Sequence, residues 1–301
     1  MTSDDAKARL MRQATLFSVA VAVVMVGLKL AAWILTGSVA LLSTLIDSTL
    51  DGLSSLVNFL AIRHALEPAD HDHRFGHAKA EPLAGLAQSA FIGGSALFLI
   101  GEAAQRLFEP DQIGNAEFGV VVVVIAIVVT LALVMFQKFV IARTGSLAIS
   151  ADHLHYTGDL MMNGAVIVSL LLSSMLGFTL ADPLFAIGIA CYLIWGAWQI
   201  GLRSYDLLMD KEMPDEQRRR IEAICLAQPG IRGVHDLRTR SAGLAEFIQV
   251  HVTMDPAITL LQAHHISESV ETALRDAFPS ADVIIHQDPD GVPEPTGMAV
   301  G

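Results

Sequence analysis

The sequence has 301 residues, 53% of them hydrophobic and only 17% charged, with a mean hydropathy of +0.52; that balance excludes an ordinary soluble domain of this length. The formal net charge of −12 argues against a nucleic-acid partner. The long apolar runs stop near residue 208, and the residues after Asp210 carry the charge density of soluble protein. Three segments follow: a membrane domain over 1–209, a soluble domain over 210–290 and a disordered tail over 291–301.

The first apolar stretch, Ala14 to Leu35, follows Lys7, Arg9 and Arg12 and imitates a signal peptide, but it exceeds the usual apolar core of one and is read as retained. Five more stretches have the roughly 20 residues needed to cross about 30 Å of hydrocarbon, giving spans near 14–35, 38–62, 82–108, 116–142, 147–176 and 183–208. The basic residues alternate in the same rhythm. Arg63, Arg74 and Lys79, then Lys138 and Arg143, then Arg203 and Lys211 fall on the side of the N-terminus, whereas Thr36-Gly37-Ser38, Glu109 to Glu117 and Gly177 to Asp182 hold no Lys or Arg. The positive-inside rule therefore predicts cytoplasmic termini. The two cysteines, Cys191 and Cys225, form no C-x-x-C pattern, so neither a disulfide framework nor a thiolate site is expected.

The second span carries Asp47 and Asp51 in an otherwise apolar, small-residue run, four residues apart and so on one helical face. A carboxylate at the bilayer centre costs about 2.5–3.5 kcal/mol on insertion scales, so two of them call for a partner charge or a water-filled cavity. The fifth span supplies a matching pair, His155 and Asp159, at the same spacing. At 1.5 Å per residue both pairs come to lie about 14 and 20 Å from their respective ends, in the middle third of the bilayer. Three carboxylates and one imidazole from facing helices suit a tetrahedral divalent ion such as Zn2+. The alternative is a buried Asp51–His155 ion pair without metal. Lys29, Gln88, Glu102 and Asn163 read as snorkelling, packing or span-end residues. No H-E-x-x-H run is present to signal an intramembrane metalloenzyme, and the chain is expected not to be an enzyme.

After the spans, residues 212–290 read as helix 214–227, strands 231–240 and 244–254, helix 260–277 and strand 281–287, an order that suits an α/β sandwich. Strict alternation in Phe247 to Thr253 sends Ile248, Val250 and Val252 to one face and Gln249, His251 and Thr253 to the other. The loop between the second and third spans holds three His and two Asp within Asp70 to His77, which makes either a borderline metal site or a solvated polar loop.

Asp47-x-x-x-Asp51 on the second of six spans, His155-x-x-x-Asp159 on the fifth, and a tail reaching His286-Gln287-Asp288-Pro289 together resemble the cation diffusion facilitator family over nearly the whole chain. The resemblance implies a membrane all-α bundle of six transmembrane helices followed by a cytoplasmic α+β domain with a metallochaperone-like fold. It implies a homodimer in the bacterial inner membrane that exports Zn2+, with Cd2+, Fe2+ or Mn2+ as alternatives, in exchange for protons by alternating access. It also implies a second site at Asp70, His73 and His77, and a binuclear structural or regulatory zinc site on His235, His251, His264, His286 and Asp288. Gln287 and His265 remain additional candidates for that third site.

Overall fold

The computed structural model describes residues 3–37, 39–108, 119–176, 178, 180–243 and 245–292. Ser38 and residues 116–118, expected at the starts of the second and fourth spans, Leu244, expected to start the second strand, the rest of the connection after Phe108, residues 177 and 179 and the tail beyond 292 lie outside the described residues. The chain forms two compact units, Met1–Tyr205 and Asp206–Gly301.

The first unit is built from α1 (Ser3–Thr36), α2 (Val39–Ala65), α3 (Ala80–Phe108), α4 (Gly119–Thr144), α5 (Leu147–Leu176) and α6 (Ala181–Leu208). All six are long and apolar enough to cross a membrane. Large apolar side chains such as Leu35, Leu97, Phe98, Met135, Met175 and Trp195 point outward, the arrangement a lipid solvent requires. Gly37 (φ 65°) and Gly145 (φ 66°) end α1 and α4 in the left-handed conformation, and their amides donate to Trp33 and Ile141 at 2.8 Å.

α5 is the hub, packed against α1, α2, α3 and α4. Its first turn is doubly capped: the Ile149 amide donates to Ser146 Oγ at 3.3 Å, and the Leu147 amide donates to the buried carboxylate of Glu81 at 3.0 Å. An anion there complements the positive end of the helix dipole. Glycines bring α6 close to α5. A Cβ at Gly158 would stand 2.9 Å from Leu193 Cδ2, and one at Gly196 would stand 2.7 Å from Leu154 Cδ1, so each helix receives a leucine of the other at a residue without a side chain.

The second unit runs α7 (Asp215–Leu226), β1 (Gly233–Ala242), β2 (Ala245–Met254), α8 (Leu260–Ala277) and β3 (Ala281–Pro289). The sheet order is β1-β2-β3, with an antiparallel β1–β2 pair and a parallel β2–β3 pair joined through α8. Ile248, Val250 and Val252 pack with Ile221, Cys225, Val270, Leu274 and Phe278 in one core. Burial pushes the Cys225 thiol up to about 11, so it behaves as an inert core residue. Thr259 and Gln262 close a reciprocal capping box at the start of α8. The expected fold class, six membrane helices followed by a small α+β domain, is the one observed.

Candidate metal centres

On α2 and α5 the two i, i+4 pairs meet. His155 Nε2 lies 3.0 Å from Asp51 Oδ1 and 3.6 Å from Asp159 Oδ2, and the three residues offer ligand atoms within 4.8 Å of one another. His155 Nε2 is buried between the two carboxylates, with the Asp51 oxygen its nearer contact. A nitrogen lone pair enclosed by two carboxylates fits a divalent cation. Asp47, one turn earlier on α2, stands outside this trio but lines the same cavity of ≈480 Å³.

That cavity corrects part of the sequence reading. Lys29, Glu102 and Asn163, expected at span ends or in packing, line it beside Asp47, Asp51 and Asp159. Lys29 Nζ donates to Ser48 Oγ at 2.5 Å, and Arg106 bridges Glu102 (2.6 Å) and Asp182 (3.3 Å) where α3 ends and α6 begins. The cavity therefore runs from the His155 trio toward the C-terminal end of α3. The signal was present in the sequence as intramembrane charge; which charges share a cavity depends on helix rotation.

Toward the N-terminal end of α5 the trio is backed by a buried polar network that sequence reasoning missed. Asp152 is 1% exposed and accepts hydrogen bonds from Gln137 (2.7 Å), Ser55 (3.3 Å) and Gln88 (3.4 Å). Gln137 also donates to Ser18 Oγ at 3.1 Å, and the Ser55 and Tyr156 hydroxyls are 2.9 Å apart. Helices α1 to α5 all contribute to this network. One polar residue per helix is a weak signal, which is why Gln88 read as simple packing.

The loop between α2 and α3 brings its predicted residues together. Asp70 Oδ1 accepts the amides of His73 (2.6 Å) and Asp72 (2.9 Å), winding the chain into a tight turn. The His73 amide, with the Asp72 amide and the neighbouring imidazoles adding to it, holds the Asp70 carboxyl below its usual range. The second oxygen, Oδ2, lies 3.3 Å from His77 Nε2, and His73 Nδ1 is 3.6 Å from Oδ1. Gly76 (φ 78°) turns the backbone so that His77 folds inward. The His77 side chain is 5% exposed, and its Nδ1 is buried without a hydrogen-bond partner.

In the second unit the sheet register aligns His235, His251 and His286 in one row across three strands. Asp288 joins them, with Oδ2 2.9 Å from His251 Nδ1 and 3.6 Å from His235 Nε2, and Oδ1 3.2 Å from His286 Nε2. An unpredicted neighbour, Asp236, reaches within 3.7 Å of His251 Nε2. A β-bulge between His235 and Arg238 and a left-handed Asp236 (φ 44°) bring it there, and sequence alternation cannot foresee either. Hydrogen bonding to the Arg238 guanidinium, followed by its charge, holds the Asp236 carboxyl low.

Three candidates for this third site are not gathered in: His264, its neighbour His265, which lies 3.6 Å from Glu268 on the exposed side of α8, and Gln287. His264 lies on the exposed side of α8 with its ring 5.8 Å from His265, and it does not join the row within the single chain. Gln287 alternates onto the opposite face of β3 from His286 and Asp288, where its amide donates to Ser267 of α8 at 2.8 Å, so it is no donor to this group.

Comparison with known proteins gives these clusters a context. The profile described as the cation efflux transmembrane domain matches residues 15–209, and that of the cation efflux protein cytoplasmic domain matches 213–290. The chain belongs to the cation efflux family. It is 50% identical over 288 residues to the cation-efflux pump FieF of Pectobacterium atrosepticum, covering 95% of this chain and 96% of the relative. It is 49% identical over 284 residues to FieF of Klebsiella pneumoniae (94% of each chain) and 50% identical over 279 residues to FieF of Shewanella oneidensis (93% and 94%). Among solved structures, a nickel form of the MamM C-terminal domain is 27% identical over 25% of this chain and 98% of that one, with a TM-score of 0.25. As a member of the cation efflux family, the protein is a multi-pass membrane transporter of metal cations.

Proposed function

We propose that this cation efflux protein exports divalent metal, Zn2+ foremost, from the cytoplasm in exchange for protons. The observation that carries this reading is the convergence of Asp51, His155 and Asp159 where α2 meets α5, with Asp51 and Asp159 facing the same cavity as Asp47. One imidazole among carboxylates favours Zn2+, with Cd2+ and Fe2+ as secondary substrates, over harder ions that take oxygen alone. Carboxylate and imidazole bind metal only when deprotonated, so metal and protons compete for the same lone pairs and coupling needs no further machinery.

Alternating access supplies the vectorial step. The cavity opens from the metal-binding residues toward the α3–α6 end, while the Asp152 network packs five helices against their other side. Release to one compartment with the opposite route sealed agrees with such an arrangement. The charge asymmetry of the connections supports an inner-membrane orientation with both termini cytoplasmic. The His235–His251–His286 row and Asp288 would bind Zn2+ as a structural or regulatory ion, and exposed His264 would complete that site across a homodimer.

Reconstitution into vesicles loaded with a zinc-sensitive dye tests the reading. Zn2+ flux is expected to rise with an imposed pH gradient and to vanish in Asp51→Ala. Vesicles that bind zinc yet carry none across would overturn the reading of Zn2+ as the exported ion.

A further inference from the structure

The ligand atoms of Asp70, His73 and His77 lie within 4.8 Å of one another, and a further imidazole stands beside this group. His64, in the last turn of α2, places its ring 4.4 Å from that of His77, closer than the 4.6 Å separating His73 from His77. The nearly buried His77 is thus flanked by two imidazoles. The helix winds down over this stretch, with Leu66 N donating to Ile62 O at 3.1 Å and Glu67 N donating to His64 O at 3.0 Å. That closing turn folds Glu67 back so that its Oε2 sits 2.9 Å from His64 Nδ1.

We propose that His64 is a fourth metal ligand of the loop site and that Glu67 orients it. The inference rests on reading Asp70, His73 and His77 as a metal site. An ionised carboxylate accepts only, so the hydrogen shared with Glu67 lies on Nδ1 and the Nε2 lone pair of His64 is left for a cation. A carboxylate behind a ligating imidazole is the recurrent means of fixing ring tautomer and orientation at metal sites. Three protein donors leave a position of a tetrahedral ion to water, and a third imidazole, as fourth ligand, closes it. The buried, unpartnered Nδ1 of His77 gives a second and independent indication, because a ring enclosed between His64, His73 and Asp70 leaves one nitrogen unsatisfied when no cation is bound. The product is a closed N3O donor set on a connection between two membrane helices, selective for Zn2+ or Co2+ over Ca2+ or Mg2+.

Co2+ is the probe, because its visible d–d bands are strong in four-coordinate sites and weak when water expands the shell. The full-length protein is titrated with Co2+ in a background carrying Asp51→Ala, His155→Ala, His251→Ala and Asp288→Ala, which removes two donors from each of the other two clusters. The expected result is a strong four-coordinate spectrum, with affinity falling about 100-fold and the bands weakening in His64→Ala, and an affinity loss of about tenfold with the spectrum retained in Glu67→Gln. Asp70→Ala separates the two levels of the argument. If Asp70→Ala abolishes Co2+ binding while His64→Ala changes neither affinity nor spectrum, the role of His64 is refuted and the three-residue site stands. If Asp70→Ala changes nothing, the loop is not a metal site and both readings fall. His64 is half-exposed at a helix end, so its replacement leaves the fold intact, and His64→Gln provides a same-size check.

Discussion

Gln137 Nε2 donates to Asp152 Oδ2 at 2.7 Å, tying α4 to α5 about one helical turn from His155. Asp152 also receives Ser55 and Gln88, so its removal takes a shared acceptor away from three other helices in a buried site. Replacing Asp152 with Leu is expected to destabilise the bundle by about 1–3 kcal/mol, while Asp152→Asn, which keeps one acceptor oxygen, costs less. Thermal unfolding in detergent measures the stability. Zn2+ flux should fall in Asp152→Leu by more than Zn2+ affinity does, because the ligands remain while the packing behind them is lost.

Asp51 and Asp47 are expected to differ despite their shared helix face. Asp51 belongs to the trio around His155, whereas Asp47 lines the cavity next to it. Asp51→Ala should weaken Zn2+ binding by roughly two orders of magnitude, about 3 kcal/mol, and Asp47→Ala by roughly tenfold. Isothermal titration of the two variants decides this, and equal losses would place Asp47 in the coordinating group from the outset.

Two glycines of α5 form a matched test of close helix approach. At Gly158 a new Cβ meets Leu193 at 2.9 Å, while at Gly164 nothing lies within 4 Å. Gly158→Val is expected to cost about 1–3 kcal/mol through overpacking against α6 and to reduce flux by displacing the adjacent Asp159. By contrast, Gly164→Ala should be neutral or stabilising by about 0.5–1 kcal/mol, since alanine is the better helix former. Thermal shifts and vesicle flux on both variants are the measurements.

In the second unit, His251→Ala should abolish most of the Zn2+-induced rise in Tm, whereas Gln287→Ala should leave that rise unchanged. His251 contacts Asp288 at 2.9 Å on the open face of the sheet, and Gln287 bonds Ser267 on the helix face. A Zn2+-dependent shift lost in Gln287→Ala would contradict the strand alternation on which the site is built.

Asp236 supplies a pH signature. The Arg238 hydrogen bond and charge hold its carboxyl below the ordinary 3.8. A carboxylate with a depressed folded pKa contributes stability that is present above the unfolded value and lost as pH falls through the folded one. The Tm gap between wild type and Arg238→Met, measured without metal, should therefore shrink as the pH is lowered through and below 3.8.

Much of this protein could be read from local pattern because the bilayer admits few solutions. Apolar length alone determined six helices, and the i, i+4 spacing alone determined that Asp47 and Asp51, like His155 and Asp159, share a helical face. The period of two along β2 likewise determined that His251 leaves the core. What periodicity cannot carry is rotation, register and local irregularity. Whether Lys29 and Glu102 face lipid or a cavity depends on how α1 and α3 rotate against α2 and α5. Asp236 approaches His251 only through a bulge, His64 approaches His77 only because α2 unwinds where it does, and Asp152 collects Ser55, Gln88 and Gln137 only when four helices have packed. Those contacts join residues distant in sequence or set by local backbone irregularity, so the tertiary structure decided them.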